Sequence, residues 1–138
     1  MGGMSTEELG KMIADHMENG FLENIIDMFM HDNSLYQLVG LLIQDERVRV
    51  RIGVTAMMEE LSSRDKEHVS EAVAGLLHLL EHEEPYVRGD AANLLGIIGD
   101  ASALPFLEKS ASDKNSSVQL LSSEAIAEIR GRVGKRIE

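Results

Sequence analysis

Apolar residues recur at helical spacing along most of this chain, and one stripe comes round three times. Taking positions i, i+4, i+7, i+8 and i+11 from Val50 gives Val50, Val54, Met57, Met58 and Leu61. From Val87 the same steps give Val87, Ala91, Leu94, Leu95 and Ile98, and from Val118 they give Val118, Ser122, Ala125, Ile126 and Ile129. Residues so spaced share one face of an α-helix, so three helices with a common buried stripe are expected. Val48 is the competing start of the first stripe, but it would bring Glu59 inside, so Val50 sets the register. An acid stands upstream of each helix: Asp45, Glu83 and Asp113. The three starts lie 37 and 31 residues apart.

Shorter helices are expected between them. Asp65 reads as the cap of one, with Val69, Ala72, Val73, Leu76, Leu77 and Leu80 inward. Ala101 to Ser110 reads as another, with Leu104 and Leu107 inward and Pro105 in the first turn, where its missing N–H costs little. Two helices per period indicate an α-solenoid, because a helix pair of this size buries its apolar face only by stacking on its neighbours. Upstream, Ser5-Thr6-Glu7-Glu8 reads as a capping box. It opens a helix with Leu9, Met12, Ile13 and Met17 on one face and Gly20 as a left-handed stop. Phe21, Leu22, Ile25, Ile26, Phe29 and Met30 follow as a strongly apolar second helix. After the break His31-Asp32-Asn33-Ser34, Leu35, Leu38, Leu41 and Leu42 carry a third to Gln44. The fold expected is all-α, a short right-handed α-solenoid of stacked helix pairs. Residues 1–4 read as a tag-derived or disordered start and 5–44 as an N-terminal helical cap. Residues 45–138 read as repeats, divided 45–82, 83–113 and a partial 114–138.

The run Val87-Arg88-Gly89-Asp90-Ala91-Ala92-Asn93-Leu94-Leu95-Gly96-Ile97-Ile98-Gly99-Asp100, with Ala103-Leu104-Pro105-Phe106-Leu107 after it, resembles a HEAT-like repeat of the phycobilisome-lyase type. The likeness is strongest over 83–113. Over 114–130 Gln119 stands for the usual Arg and Ser122-Ser123 for the usual Ala pair. The resemblance implies a right-handed superhelix whose second helices line a concave face. Within the repeat, Val87 and Leu95 read as core, and the small Ala91, Ala92 and Gly96 as points of close helix approach. Gly99 reads as a left-handed turn. Arg88, with Arg51 at the matching position, is expected to pair with a turn carboxylate such as Asp100 and hold the repeats in register.

Charge narrows the function classes. The net charge of −11 speaks against nucleic acid, whose phosphates need clustered Lys and Arg. Residues 1–46 carry a net −8 and residues 130–138 a net +3. The plain reading is a solvated acidic surface. The sharper readings are a face for a basic partner, or head-to-tail contact between copies of the chain. No apolar run approaches the roughly 18 residues of a membrane span, and there is no cysteine, so the expectation is cytoplasmic with no membrane partner. Arg47, Arg49 and Arg51 form the one basic cluster inside the domain and read as salt-bridged helix-start residues. The methionine pairs at 28/30 and 57/58 read as core.

No catalytic set emerges. His78 and His82 are four apart on an expected helix, with Glu71 seven residues before His78, but two ligands without a clear third do not make a metal site. One HEAT-repeat enzyme family, the deoxyhypusine hydroxylases, binds iron through His–Glu pairs after the Val-Arg of the first helix. Here those places hold Gly89-Asp90, Ile52-Gly53 and Leu120-Leu121. Neither a cofactor nor a metal is therefore expected. The function expected is a non-enzymatic scaffold or adaptor whose partner is a protein with a basic or amphipathic segment. Glu67, Glu71, His78 and Glu108 are the candidate partner-binding residues. A bilin-lyase-like enzyme or accessory and a self-assembling building block are the alternatives.

Overall fold

The computed structural model describes residues 3–137, with side chains as far as residue 134. The reading of residues 1–4 as a tag-derived start therefore lies partly outside the described residues, as do the side chains of Lys135, Arg136 and Glu138. Among the described residues there are eight α-helices and no strand. They are α1 (Thr6–Glu18), α2 (Leu22–His31), α3 (Val39–Leu42), α4 (Val48–Arg64), α5 (Val73–Leu79), α6 (Pro85–Ile98), α7 (Leu104–Ser110) and α8 (Ser116–Ile137). The chain divides into two compact units, residues 1–72 and 73–138.

In the first unit the capping box forms as expected. Glu8 N–H donates to Ser5 Oγ at 3.1 Å and Ser5 N–H donates to Glu8 Oε1 at 3.0 Å. Gly20 has φ 88° and takes the left-handed stop. Val50, Val54, Met57, Met58 and Leu61 are all fully buried, whereas Val48 is 56% exposed, which settles the register of α4. Each such burial is worth roughly 1.5–3 kcal/mol. They meet Ile13, Met17, Ile25, Ile26 and Phe29 from α1 and α2, and Phe29 packs edge-on against Tyr36 at 5.3 Å. The apolar second helix is one-sided, because Phe21 precedes it and is exposed along with Met30. Methionine therefore divides: Met57 and Met58 are core, Met28 is half-buried and Met30 is on the surface. The third expected helix is a 3-10 segment, Asn33–Leu38, running into the single turn α3, and Leu41 is exposed.

In the second unit α6 packs along α8, α5 lies against α6, and α7 lies against α8. The stripes of α6 and α8 are buried as expected from Val87 to Leu95 and from Val118 to Ile129, with Ile98 half-buried at the helix end. An ideal Cβ on Gly96 would stand 2.9 Å from both Cα and Cβ of Ala125, so the absence of a side chain there lets the two helices touch. Gly99 departs from expectation. Its φ is −79°, in extended backbone, and no left-handed turn forms. What the site needs is space, since a Cβ would come within 2.5 Å of the Leu95 carbonyl oxygen. Asp100 then caps the following turn by accepting from Ser102 N–H at 2.9 Å.

The stripe of α8 carries one polar residue, Ser122, where alanine is usual. It is fully buried, and its hydroxyl donates to the buried Ser110 Oγ of α7 at 2.9 Å. A buried hydroxyl left alone costs about 1–3 kcal/mol, while removing both partners costs little. Ser122→Ala alone should therefore lower stability in urea melts by about 1 kcal/mol or more, and Ser110→Ala/Ser122→Ala should recover most of it. Strictly additive losses would contradict the pairing.

Each shorter helix opens tighter than expected. The 3-10 segments Asn33–Leu38, Val69–Ala72 and Ala101–Ala103 lead directly into α3, α5 and α7. Asp65 sits between α4 and the second of these and does not cap it through its side chain, which is taken by Tyr36 and His68.

Candidate functional site

The polar residues that look chemically active mostly hold backbone. Arg51 Nη1 donates to the carbonyls of Asp45 (3.1 Å) and Glu46 (3.0 Å), six and five residues back. Arg88 Nη1 donates to the carbonyls of His82 (2.9 Å) and Glu83 (3.1 Å), again six and five residues back. Gln119 Nε2 donates to the carbonyl of Asp113, also six back. The three side chains occupy one repeat position, and each ties down the loop that leads into its own helix. Gln119 keeps that bond without the charge.

Arg88 does more. Its Nε and Nη2 donate to Oδ2 and Oδ1 of Asp113 at 2.8 and 3.0 Å, a bidentate pair with both side chains about nine-tenths buried. The expected partner, Asp100, is engaged with Ser102, and Asp113 from the next loop takes the role. The Arg88 guanidinium, then the Asn115 N–H, hold the Asp113 carboxyl below the usual range against the pull of burial. One arginine thus fixes both the 82–83 loop and the 113–115 loop.

The basic cluster of the first unit is likewise internal. Arg47 meets Asp45 at 2.9 Å and Asp15 of α1 at 3.0 Å, and Arg49 lies 3.6 Å from Glu18. Salt bridges therefore form at this helix start as expected, with Asp45, Asp15 and Glu18 among the acids.

A third cluster joins Tyr36, Asp65 and His68. Tyr36 Oη donates to Asp65 Oδ2 at 2.8 Å, and His68 Nδ1 lies 2.9 Å from Asp65 Oδ1. Burial, then the bond to Asp65, raise the Tyr36 hydroxyl above its ordinary range. Burial pulls Asp65 up, but its bonds to His68 and Tyr36 outweigh that and lower it. The bond to Asp65 raises His68. Because its folded value is raised, the His68 contribution is complete below the range of a free imidazole and is lost as pH rises through the raised value. Melting temperature should therefore decline as pH rises through and beyond the range of a free imidazole, and His68→Gln should flatten that slope. An identical slope in the variant would remove His68 as its source.

An open groove lies in the second unit, between the C-terminal half of α5 and α7, with a volume of about 750 Å³. Leu77 and Leu80 supply one apolar side, and Pro105 and Phe106 the other. Phe106 is 51% exposed although its neighbour Leu107 is fully buried. Arg88, Asp113 and Ser110 lie along the groove as well. Glu81 and Glu83 stand on the loop after α5, and Lys109 and Lys114 stand opposite. Lys109 Nζ reaches Glu81 Oε1 at 3.5 Å.

The candidate partner-binding residues are placed as follows. Glu67 is exposed in the turn after α4, and Glu71 is exposed and accepts from Asn33 Nδ2 at 3.1 Å. In the second unit His78 is exposed on α5, and Glu108 is exposed on α7 with Arg130 Nη2 at 3.0 Å. His82 is not on a helix with His78, because α5 ends at Leu79; its Nδ1 accepts the Glu84 N–H at 3.0 Å. Among the described residues no three His, Cys, Asp or Glu side chains converge as a metal would need. Of the basic carboxyl end, Arg130 meets Glu108 and Arg132 donates to the Gly99 carbonyl at 2.8 Å. Sequence reasoning missed the groove. The signal that could have found it is Phe106, a large aromatic off the Leu104–Leu107 stripe.

No described helix is long and apolar enough to cross a membrane. Among curated proteins, the deoxyhypusine hydroxylase of Eremothecium gossypii is 28% identical over 160 aligned positions, covering 92% of this chain. The chain spans about half the length of that relative, 48% of it. Residues 35–127 match the family described as HEAT repeats, a match that takes in α3 to α7 and about half of α8. With the helix pairs and the recurring loop-holding side chain, that match makes this chain a member of the HEAT-repeat family.

Proposed function

We propose that this chain is a non-enzymatic protein–protein interaction module, a scaffold or adaptor of HEAT repeats of the phycobilisome-lyase type. The observation that carries the reading is a division of labour among side chains. Arg88, Asp113, Arg47 and the Tyr36–Asp65–His68 cluster are consumed in holding backbone and helices, while Phe106 is left half-exposed in an open groove. Exposed aromatic side chains in a concavity are favoured anchors for protein partners. The exposed Glu67 and Glu71 in one unit, and His78 and Glu108 in the other, would serve approach, since acidic surfaces steer basic segments. The cytoplasm is the compartment that suits a chain without cysteine.

The match to a deoxyhypusine hydroxylase favours one second reading, a share in that enzyme's activity. Against it stand Gly89-Asp90, Ile52-Gly53 and Leu120-Leu121 at the positions where His–Glu pairs would be needed. The test uses the purified full chain, Phe106→Ala and Glu71→Lys as bait in native lysate, with the same chain assayed for hydroxylation of deoxyhypusine after iron loading. A protein retained by the wild type and lost by either variant, with melting curves unchanged, supports the module. Iron-dependent hydroxylation would overturn it. A shifted visible spectrum with added bilin would favour a lyase-like role instead.

A further inference from the structure

We propose that the groove between α5 and α7 receives a short amphipathic segment of a partner protein. That segment seats one large apolar side chain on Phe106, with a basic residue on the Glu81 side and an acidic residue on the Lys109 side. The inference rests on the interaction-module reading and specifies its ligand.

Three observations carry it. The first is size and polarity. A groove of about 750 Å³ with Leu77, Leu80 and Phe106 on its apolar surface holds a few side chains, which suits a peptide anchor. The second is the arrangement of charge. Glu81 and Glu83 line one wall, and Lys109 and Lys114 the other. Opposed walls of opposite sign fix the direction of an occupant, because a reversed segment would set like charges together. Glu81 and Lys109 now satisfy each other across 3.5 Å, with side chains 79% and 77% exposed. Exposed pairs are weak, so a partner's Lys or Arg and Asp or Glu can replace them with little loss. The third is the state of the buried charge. Arg88 gives two N–H groups to Asp113 and a third nitrogen to two carbonyls. The Arg88 guanidinium is committed, so this buried arginine is not available to a phosphate or other simple anion. What remains to be recognised is an apolar anchor between two charges.

The test is a selection of displayed random dodecapeptides on the immobilised full chain, repeated on Phe106→Ala and on the charge-swapped Glu81→Lys/Lys109→Glu. All three residues are exposed, and the swap preserves an opposite-charge pair, so melting curves should be unchanged. Enriched peptides should carry a large apolar residue between a basic and an acidic one. They should bind Phe106→Ala about tenfold or more weakly, and the charge-swapped chain should enrich the reverse polarity. Enriched peptides that ignore both variants would overturn the groove as the site while leaving the interaction module standing. Failure to enrich any peptide would overturn the proposal and count against the module as well. A concentration-dependent dimer in sedimentation, abolished by Phe106→Ala, would make the occupant a second copy of the chain and overturn the partner segment.

Discussion

Replacing Arg88 with alanine should lower the melting temperature on the order of 10 °C, the consequence of losing about 3–5 kcal/mol. The size follows from what is left behind. Asp113 would remain about nine-tenths buried with its cation gone, and the carbonyls of His82 and Glu83 would lose their shared donor. A buried pair is a poor source of net stability, but breaking one half of it is costly, because the other charge stays behind unpaired. Lysine should recover only part of the loss, since it cannot reproduce a bidentate fork and two carbonyl contacts together. Asp113→Ala should cost a similar amount, and the double variant should cost less than the two single losses added. The acid side of the stability profile should report the same pair. The Asp113 pKa is lowered, so its contribution is present above the usual carboxylate range and is lost as pH falls through the lowered value. A melting curve for Arg88→Ala that overlays the wild type would remove the register role altogether.

The second large effect is expected at Gly96. A methyl group there would face Ala125 Cα and Cβ at 2.9 Å, and a backbone atom of a packed helix cannot swing aside. Alanine normally gains about 1 kcal/mol over glycine inside a helix. At Gly96 the clash should reverse that sign, with a net loss of about 1–2 kcal/mol, and Gly96→Val should lose about 3 kcal/mol or more. Ala125→Gly should rescue Gly96→Ala only in part, since it removes Cβ and leaves Cα in place. Gly131, on α8 with nothing within 4 Å of an added Cβ, supplies the contrast. Gly131→Ala should be neutral or stabilising by up to about 1 kcal/mol. Urea melts of the four variants check the ordering, and a stabilised Gly96→Ala would show that α6 and α8 are not in close contact.

What was legible in the sequence is what repeats locally. The stripes from Val50, Val87 and Val118 depend only on spacing along one helix, and they mark buried positions almost without exception. The equivalence of Arg51, Arg88 and Gln119 could be read from the same register, and each reaches the carbonyl six residues back. The partner of Arg88 could not, because Asp113 lies 25 residues ahead and no periodicity selects it over Asp100. Gly99 departs from expectation for a related reason. Gly-Asp suggests a turn with positive φ, yet the glycine is needed for its closeness to the Leu95 carbonyl in ordinary extended backbone. The three shorter helices looked continuous because 3-10 and α-helical segments leave similar apolar spacing over one turn. The His78–His82 pair failed as a unit once α5 ended at Leu79. The groove was illegible as a whole, since its walls come from α5, α7 and the loops after them.

The proposed protein-binding groove lies between two of the shorter helices, α5 and α7. Its most direct test is a two-dimensional amide NMR titration of the labelled full chain with the dodecapeptide most enriched in selection. The expected shifts fall on residues 77–83 and 105–114, and are abolished by Phe106→Ala. Shifts confined to other faces of the chain, or the same shifts in Phe106→Ala, would contradict it.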